Sequence, residues 1–277
     1  MDPPETQRPG EPLKYVLLFL LIAFVGAILF PRSIPRFLRR AGRSVGDAGR
    51  LGREIATGEE ADQSPLARYE ARAGEIVALR LLSEHPLSAD ARLRDEVGAV
   101  GARLAAHAQR RQIHYRFQPL ESDEPNAFAV PGGNIFITRP LVDLCGGDTG
   151  ALAGVLAHEI IHIDQRHAVK NLAASAAART GLQVLTLGRG AILGQIASGM
   201  KELLVQGYRQ DQEIEADLFG VRLARLAGFD PAGLVRLLER LREPSPDGKG
   251  TLAELFQYFR SHPPVDERIA RLRRELG

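Results

Sequence analysis

Cysteine is almost absent: Cys145 stands alone in 277 residues. No internal disulfide can form, so cysteine pairing says nothing about the compartment. Zinc sites built on two or four cysteines are excluded as well. A metal held by this chain must therefore sit on nitrogen and oxygen. An excess of one charge is also lacking. Lys and Arg total 36 against 34 Asp and Glu, a formal net charge of +2, which does not suggest nucleic acid as a partner. No unit of about 20–50 residues recurs, which argues against a solenoid.

Long apolar runs are missing, with one exception. Tyr15 to Phe30 reads YVLLFLLIAFVGAILF and carries no charge. A bilayer core takes about 17–25 apolar residues, and Leu13 with the snorkelling Lys14 and Arg32 extends the stretch. A cleaved secretory signal would want a basic start and a small-residue cleavage site. Here the flank of Asp2, Glu5, Arg8, Glu11 and Lys14 is slightly acidic, and Phe30-Pro31-Arg32 is a poor site. The expectation is a tail over 1–14 and an uncleaved transmembrane anchor over 15–31. Arg32, Arg36, Arg39, Arg40 and Arg43 come before the first acid, Asp47. The positive-inside rule puts that side in the cytoplasm. Residues 32–64 then form a basic juxtamembrane linker, with the lipid bilayer as partner.

The remaining chain is long enough for one domain with its own core, expected over 65–277. Leu66, Tyr69, Ile76, Leu79 and Leu82 recur at helical steps. After Pro86, Ser88 or Asp90 caps a second helix to about Arg111. Ile113, Tyr115 and Phe117 alternate with polar residues, as in a strand. Phe128-Ala129-Val130 and Ile135-Phe136-Ile137 flank Pro131-Gly132-Gly133-Asn134, a hairpin pattern. Asp148 or Thr149 caps a long helix. Gly181 and Gly188 mark breaks around a rather apolar stretch, Leu182 to Val205, read as an amphipathic surface helix. A helix from Gln210 to Leu226 ends at Gly228, Pro231 opens another, and two short helices finish the chain. The class is α+β and mostly helical, with a small hairpin sheet.

The long helix carries His158-Glu159-Ile160-Ile161-His162. Residues four apart share a helix face, about 5–6 Å apart at Cβ, so both histidines can point at one ion. Zinc with three protein ligands keeps one position for water and lowers its pKa to about 7. Glu159, beside the first ligand, then takes a proton from the attacking water and hands it to the leaving amine. Leu152, Val155, Leu156, Ile160 and Ile161 bury this helix, where unmetallated His-Glu-His would leave polar groups unpaired. By spacing, the third ligand is Glu213, Glu215 or Asp217. Glu213 and Asp217 share a face, whereas Glu215 points away. One of that pair can bind metal while the other holds a ligand histidine by its second nitrogen.

Together with Arg166-His167, Glu213-Ile214-Glu215-Ala216-Asp217, the run Asn126-Ala127-Phe128-Ala129-Val130-Pro131-Gly132-Gly133 and the late Ser261-His262-Pro263-Pro264, these motifs resemble the HtpX and CAAX-prenyl-protease gluzincin family. The nearest members are of the BepA and Oma1-like kind. The likeness covers about residues 65–277 and implies a zincin-like fold with one Zn²⁺ per chain. It implies Glu213 as third ligand and Asp217 behind a ligand histidine. It also implies that Asn126 to Ile137 is a sheet edge where an extended polypeptide substrate adds a strand, through Asn126, Ala127, Phe128, Gly132 and Gly133. His167, a half turn off the ligand face, is expected to support a ligand or the helix packing. His262 either stabilises the oxyanion or latches the C-terminal helix. HtpX-type members carry several membrane spans and BepA-type members a helical-repeat tail, and neither pattern is read here. The periplasmic setting of BepA-type members points to the side opposite to that given by the basic flank.

The resulting expectation is a membrane-anchored zinc endopeptidase in protein quality control. The alternative is a metal-stabilised, membrane-tethered chaperone or adaptor. A scaffold needs the ligands but not the base, so Glu159 favours the enzyme. A hydrolase of small amides would have no use for an edge strand. The stretch Leu182–Val205 falls between the ligands and is expected to cover the cleft at rest. Oligomeric state is not legible.

Overall fold

A computed structural model of the protein describes residues 65–171, 207–244 and 264–277. The expected anchor and linker, Gly181, Gly188, the stretch Leu182–Val205 and His262 lie outside the described residues. Among the described residues, no helix is long and apolar enough to cross a membrane. From Glu60 onward the chain forms one compact unit. Its elements are α1 (Pro65–Glu84), α2 (Ala91–Ala105), β1 (Arg116–Leu120), β2 (Ala127–Val130), β3 (Asn134–Thr138), α3 (Arg139–Cys145), α4 (Thr149–Asp164), α5 (Gln210–Leu226), α6 (Gly233–Leu241) and α7 (Val265–Leu276).

The centre of the fold is α4. Every residue from Gly150 to Asp164 is buried, so neighbours surround this helix on all faces rather than along one stripe. Asp148 caps it, accepting from the Ala151 amide at 3.1 Å. Arg236 from α6 donates twice to the same carboxylate, at 2.7 and 3.0 Å. The helices α5 and α6 cross α4 closely because small residues meet there. A methyl on Gly233 would lie 2.0 Å from the Gly150 carbonyl carbon. A methyl on Gly220 of α5 would lie 3.1 Å from the His158 nitrogen.

The sheet has three strands in the order β1-β3-β2. The expected hairpin is present: β2 and β3 pair antiparallel, Phe128 opposite Phe136. Its turn is closed by the Gly133 amide on the Val130 carbonyl at 3.3 Å. Pro131 holds the first corner and Gly132 takes φ +88° at the second, which a side chain resists. The expected sheet edge over Asn126 to Ile137 needs correcting. Within that span β2 lies at an edge of the sheet but β3 is central, because β1 pairs with it in parallel on its other side.

Other boundaries also moved. The helix α2 stops at Ala105 rather than near Arg111. Beyond it, Asp164 gathers the Gln109 and Arg110 amides at 2.8 and 3.2 Å and pulls the chain out of helical register. The strand expected from Ile113 begins at Arg116. In α1 the helix is present but its buried face is different. Ala73, Val77 and Leu81 face inward, whereas Ile76 and Leu79 are 42% and 70% exposed. The reason is the approach of α1 to the hairpin turn. A methyl on Gly74 would lie 1.7 Å from the Pro131 carbonyl oxygen, so the face that carries Gly74 must be the one that packs. The short helix α3 had no signal in the periodicity.

Candidate metal centre

Two helices meet at the centre of this fold with their polar residues facing each other. On α4, His158 and His162 stand one turn apart, buried with Glu159. On α5, Glu213, Ala216, Asp217 and Gly220 form the face turned to α4. The small Ala216 and Gly220 let Glu213, itself fully buried, reach the histidines. The His158 and His162 Nε2 atoms are 3.0 Å apart. Glu213 oxygens lie 3.3 Å from His158 Nε2 and 3.7 Å from His162 Nε2. Three ligands about 2.0–2.2 Å from a tetrahedral ion sit roughly 3.3 Å from one another. The three observed separations bracket that value, so His158, His162 and Glu213 fit a small divalent cation.

Each histidine is held from behind. His158 donates Nδ1–H to Asp217 at 2.9 Å. Asp217 is itself gripped by both nitrogens of the Arg268 fork, each at 2.7 Å. With Nε2 kept bare for a cation, His162 donates Nδ1–H to His167 Nδ1 at 2.9 Å. His167 then donates Nε2–H to Glu215 at 3.3 Å. Such partners fix the tautomer and aim the ring. His167 arrives there because α4 ends at Asp164 and Arg166 takes a left-handed φ of +54°. That kink turns the following residue back toward His162, so the half-turn offset counted along a continuous helix does not apply. Glu215 does point away from the two histidine Nε2 atoms, but it meets His167 from the other side.

The electrostatics favour a positive charge at the centre. Burial alone would push the His158 imidazolium down, but Asp217 and Glu213 outweigh it and raise its pKa to about 10. Burial works on Asp217 in the opposite direction and is overcome by Arg268 and His158, which hold its carboxyl well below the usual range. Burial lowers His167 to about 4, so it stays neutral and can accept from His162.

The supporting frame lies at the far end of α4. Arg110 donates to both Glu70 oxygens, at 2.7 and 2.8 Å, and to the Ile163 carbonyl at 3.0 Å. Tyr115 donates to Asp164 at 2.6 Å. These bonds tie α1 and the loop after α2 to the helix that carries the histidines. Cys145 is buried, which raises its thiol pKa to about 12 and leaves it inert.

The hairpin residues named from the sequence are distributed differently. Ala127 and Phe128 belong to β2, which lies against α4, and Asn126 just before it is half-buried. Phe128 stacks on His85, ring centroids 6.4 Å apart. Gly132 and Gly133 pack instead on Ala71 of α1 and on Ile113 and His114. Three residues of the centre were not found by sequence reasoning: Arg268, Glu215 as a partner of His167, and Tyr208. The Tyr208 ring stacks on His162, centroids 4.0 Å apart and planes 19° from parallel. Its hydroxyl is buried with no hydrogen-bond partner among the described residues, at a cost of about 1–3 kcal/mol. Burial, with the charges of Glu159 and Glu213 nearby, pushes its pKa well up and keeps it a neutral donor.

A family model described as peptidase family M48 matches residues 91–276. The chain is 30% identical over 184 residues to the β-barrel assembly-enhancing protease of Escherichia coli K12, covering 62% of this chain and 37% of that protein. It is 32% identical over 168 residues to the mitochondrial metalloendopeptidase OMA1 of Saccharomyces cerevisiae, 60% of this chain and 47% of the other. It is 31% identical over 191 residues to a protease HtpX homolog of Salinibacter ruber, 57% of this chain and 67% of the other. The chain thus spans less than half the length of the first two.

Proposed function

Because this chain belongs to peptidase family M48, we propose that it is a zinc-dependent endopeptidase acting on polypeptides. The observation that carries this reading is the cluster of His158, His162 and Glu213, with Glu159 on the same helix as the two histidines. An all nitrogen-and-oxygen donor set of this spacing suits zinc. The ion supplies Lewis-acid chemistry, acidifying water and polarising a carbonyl. The protein does the rest. His158 and His162, aimed by Asp217 and His167, hold their Nε2 lone pairs inward. Glu159 takes a proton as the water oxygen bonds to the scissile carbonyl carbon. It then gives that proton to the amine nitrogen as the C–N bond breaks.

An extended substrate aligns along β2. The Thr138 amide bonds the Asn126 carbonyl at 2.8 Å. With the β2–β3 register, this turns the backbone groups of Phe128 and Val130 toward β3 and those of Ala127 and Ala129 away from it. Pairing through backbone groups reads a peptide with little regard to its side chains, as protein quality control requires. The apolar stretch 15–31 anchors the enzyme in a membrane. The basic flank after it sets the peptidase on the cytoplasmic side; an extracytoplasmic domain is the outcome that a protease-protection assay on sealed vesicles distinguishes.

The experiment for the reaction is Glu159→Gln. The variant keeps its fold and a full complement of zinc, but cleavage of an unfolded protein falls by at least about a hundredfold. Cleavage at the wild-type rate by that variant contradicts the mechanism. Wild-type protein that binds zinc, restrains aggregation and never cleaves would point instead to the tethered chaperone.

A further inference from the structure

Tyr208 has no part in the steps assigned to Glu159 and the ligands, yet it touches them. The residue comes after Gly207, which takes φ +87°, and precedes the start of α5. Its ring covers one face of His162 and lies 5.9 Å from His167. Stacking alone would be served as well by phenylalanine. The hydroxyl is what needs an account, because it is stripped of water and bonded to nothing among the described residues. A buried donor of this kind has a use when a group arrives that can accept its proton.

The position of the hydroxyl narrows what that group is. The phenol ring lies against the candidate ligand His162, centroids 4.0 Å apart, and it feels the charges of Glu159 and Glu213. Glu159 is committed to accepting a proton from water and cannot donate to the carbonyl oxygen at that moment. The buried Arg268 guanidinium is turned to Asp217. Arg166 is turned to Glu70. A hydrolysed peptide bond builds negative charge on its carbonyl oxygen, and a preorganised neutral donor in a water-poor site stabilises that charge strongly.

We propose that Tyr208 is a catalytic residue of this centre, its hydroxyl donating a hydrogen bond to the scissile carbonyl oxygen as negative charge develops there. The inference rests on the peptidase reading. It assigns two duties to one side chain: the ring steadies His162 and the hydroxyl meets the substrate. The unpartnered hydroxyl is then a stability cost carried for catalysis.

The test uses the full-length, zinc-loaded protein with Tyr208→Phe and Tyr208→Ala. Tyr208→Phe keeps the ring, so zinc per chain is unchanged and the melting temperature does not fall. Its kcat falls by about 10²–10³, while KM moves by less than about twofold. Affinity for a phosphinic peptide, whose tetrahedral oxygen stands in for the developing charge, weakens with kcat. Tyr208→Ala loses the stacking too, and zinc affinity falls with it. Wild-type kcat and wild-type phosphinic affinity in Tyr208→Phe would overturn the proposal. So would a Tyr208→Phe protein that loses its zinc, because the hydroxyl would then serve the metal and not the substrate. Wild-type protein that binds zinc but cleaves nothing would sink the peptidase reading, and the role of Tyr208 with it.

Discussion

At the scale of single residues, the two candidate ligand histidines are held by unlike partners. His158 leans on a buried carboxylate locked by a guanidinium. His162 leans on a neutral imidazole whose own partner, Glu215, is partly exposed. This difference has a measurable consequence. Without a cation, Asp217 and Glu213 raise His158 to about 10, so at pH 8 it carries a proton. Metal binding needs the neutral ring. Zinc binding at pH 8 should therefore displace about one proton from His158, where an ordinary imidazole near 6.5 would displace almost none. Calorimetry in buffers of different ionisation enthalpy counts that proton. The same shift has a stability sign. A raised folded value stabilises the metal-free protein fully below about 6.5, and that contribution is lost as pH rises through about 10.

The shared face of His158 and His162, with Glu159 beside them, was legible because helix periodicity alone puts residues four apart on one face. The choice among Glu213, Glu215 and Asp217 was not, because it depends on which face of α5 meets α4. Arg268 lies 51 residues beyond Asp217, and no local spacing could couple them. Tyr208 was missed for the same reason: its role depends on stacking across elements.

At the scale of elements, close crossings do much of the positioning. The helices α4 and α6 touch backbone to backbone at Gly150 and Gly233. Gly233→Ala should cost about 1–3 kcal/mol by overpacking, and it should disturb the metal helix. Gly98 in α2 has open space around it, so Gly98→Ala should instead stabilise by about 0.5–1 kcal/mol. Urea titration of both variants checks the contrast; equal effects would mean that the crossing is slack. Element existence was largely readable. The caps of α2 and α4 are Asp90 and Asp148, both visible as side chains ahead of an apolar run. The inward face of α1 was not readable, because the close backbone approach at Gly74 to the hairpin turn selected it. Sheet order was hidden too: the parallel pairing of β1 with β3 is a tertiary choice that the hairpin pattern cannot reveal.

At the scale of the whole molecule, the candidate metal centre joins α4 to α5, and through Asp217 and Arg268 to α7. A cation there ties together three helices distant in sequence. Zinc at about a thousand times its dissociation constant adds roughly 4 kcal/mol to stability. For a domain of this size that is roughly 8–16 °C in melting temperature. Chelation should lower the melting temperature by about that much, reversibly on adding zinc back. An unchanged melting curve would mean that the ion, if bound, sits elsewhere.

The central claim is that His158, His162 and Glu213 hold the ion while Glu215 stands outside it. Zinc bound per purified chain, measured in Glu213→Ala and Glu215→Ala side by side, tests this most directly. The account predicts less than a tenth of wild-type occupancy for Glu213→Ala at limiting zinc, an order-of-magnitude expectation for a lost ligand. It predicts a clearly smaller loss for Glu215→Ala, which reaches the site only through His167. Full occupancy in Glu213→Ala, or loss in Glu215→Ala alone, would contradict it.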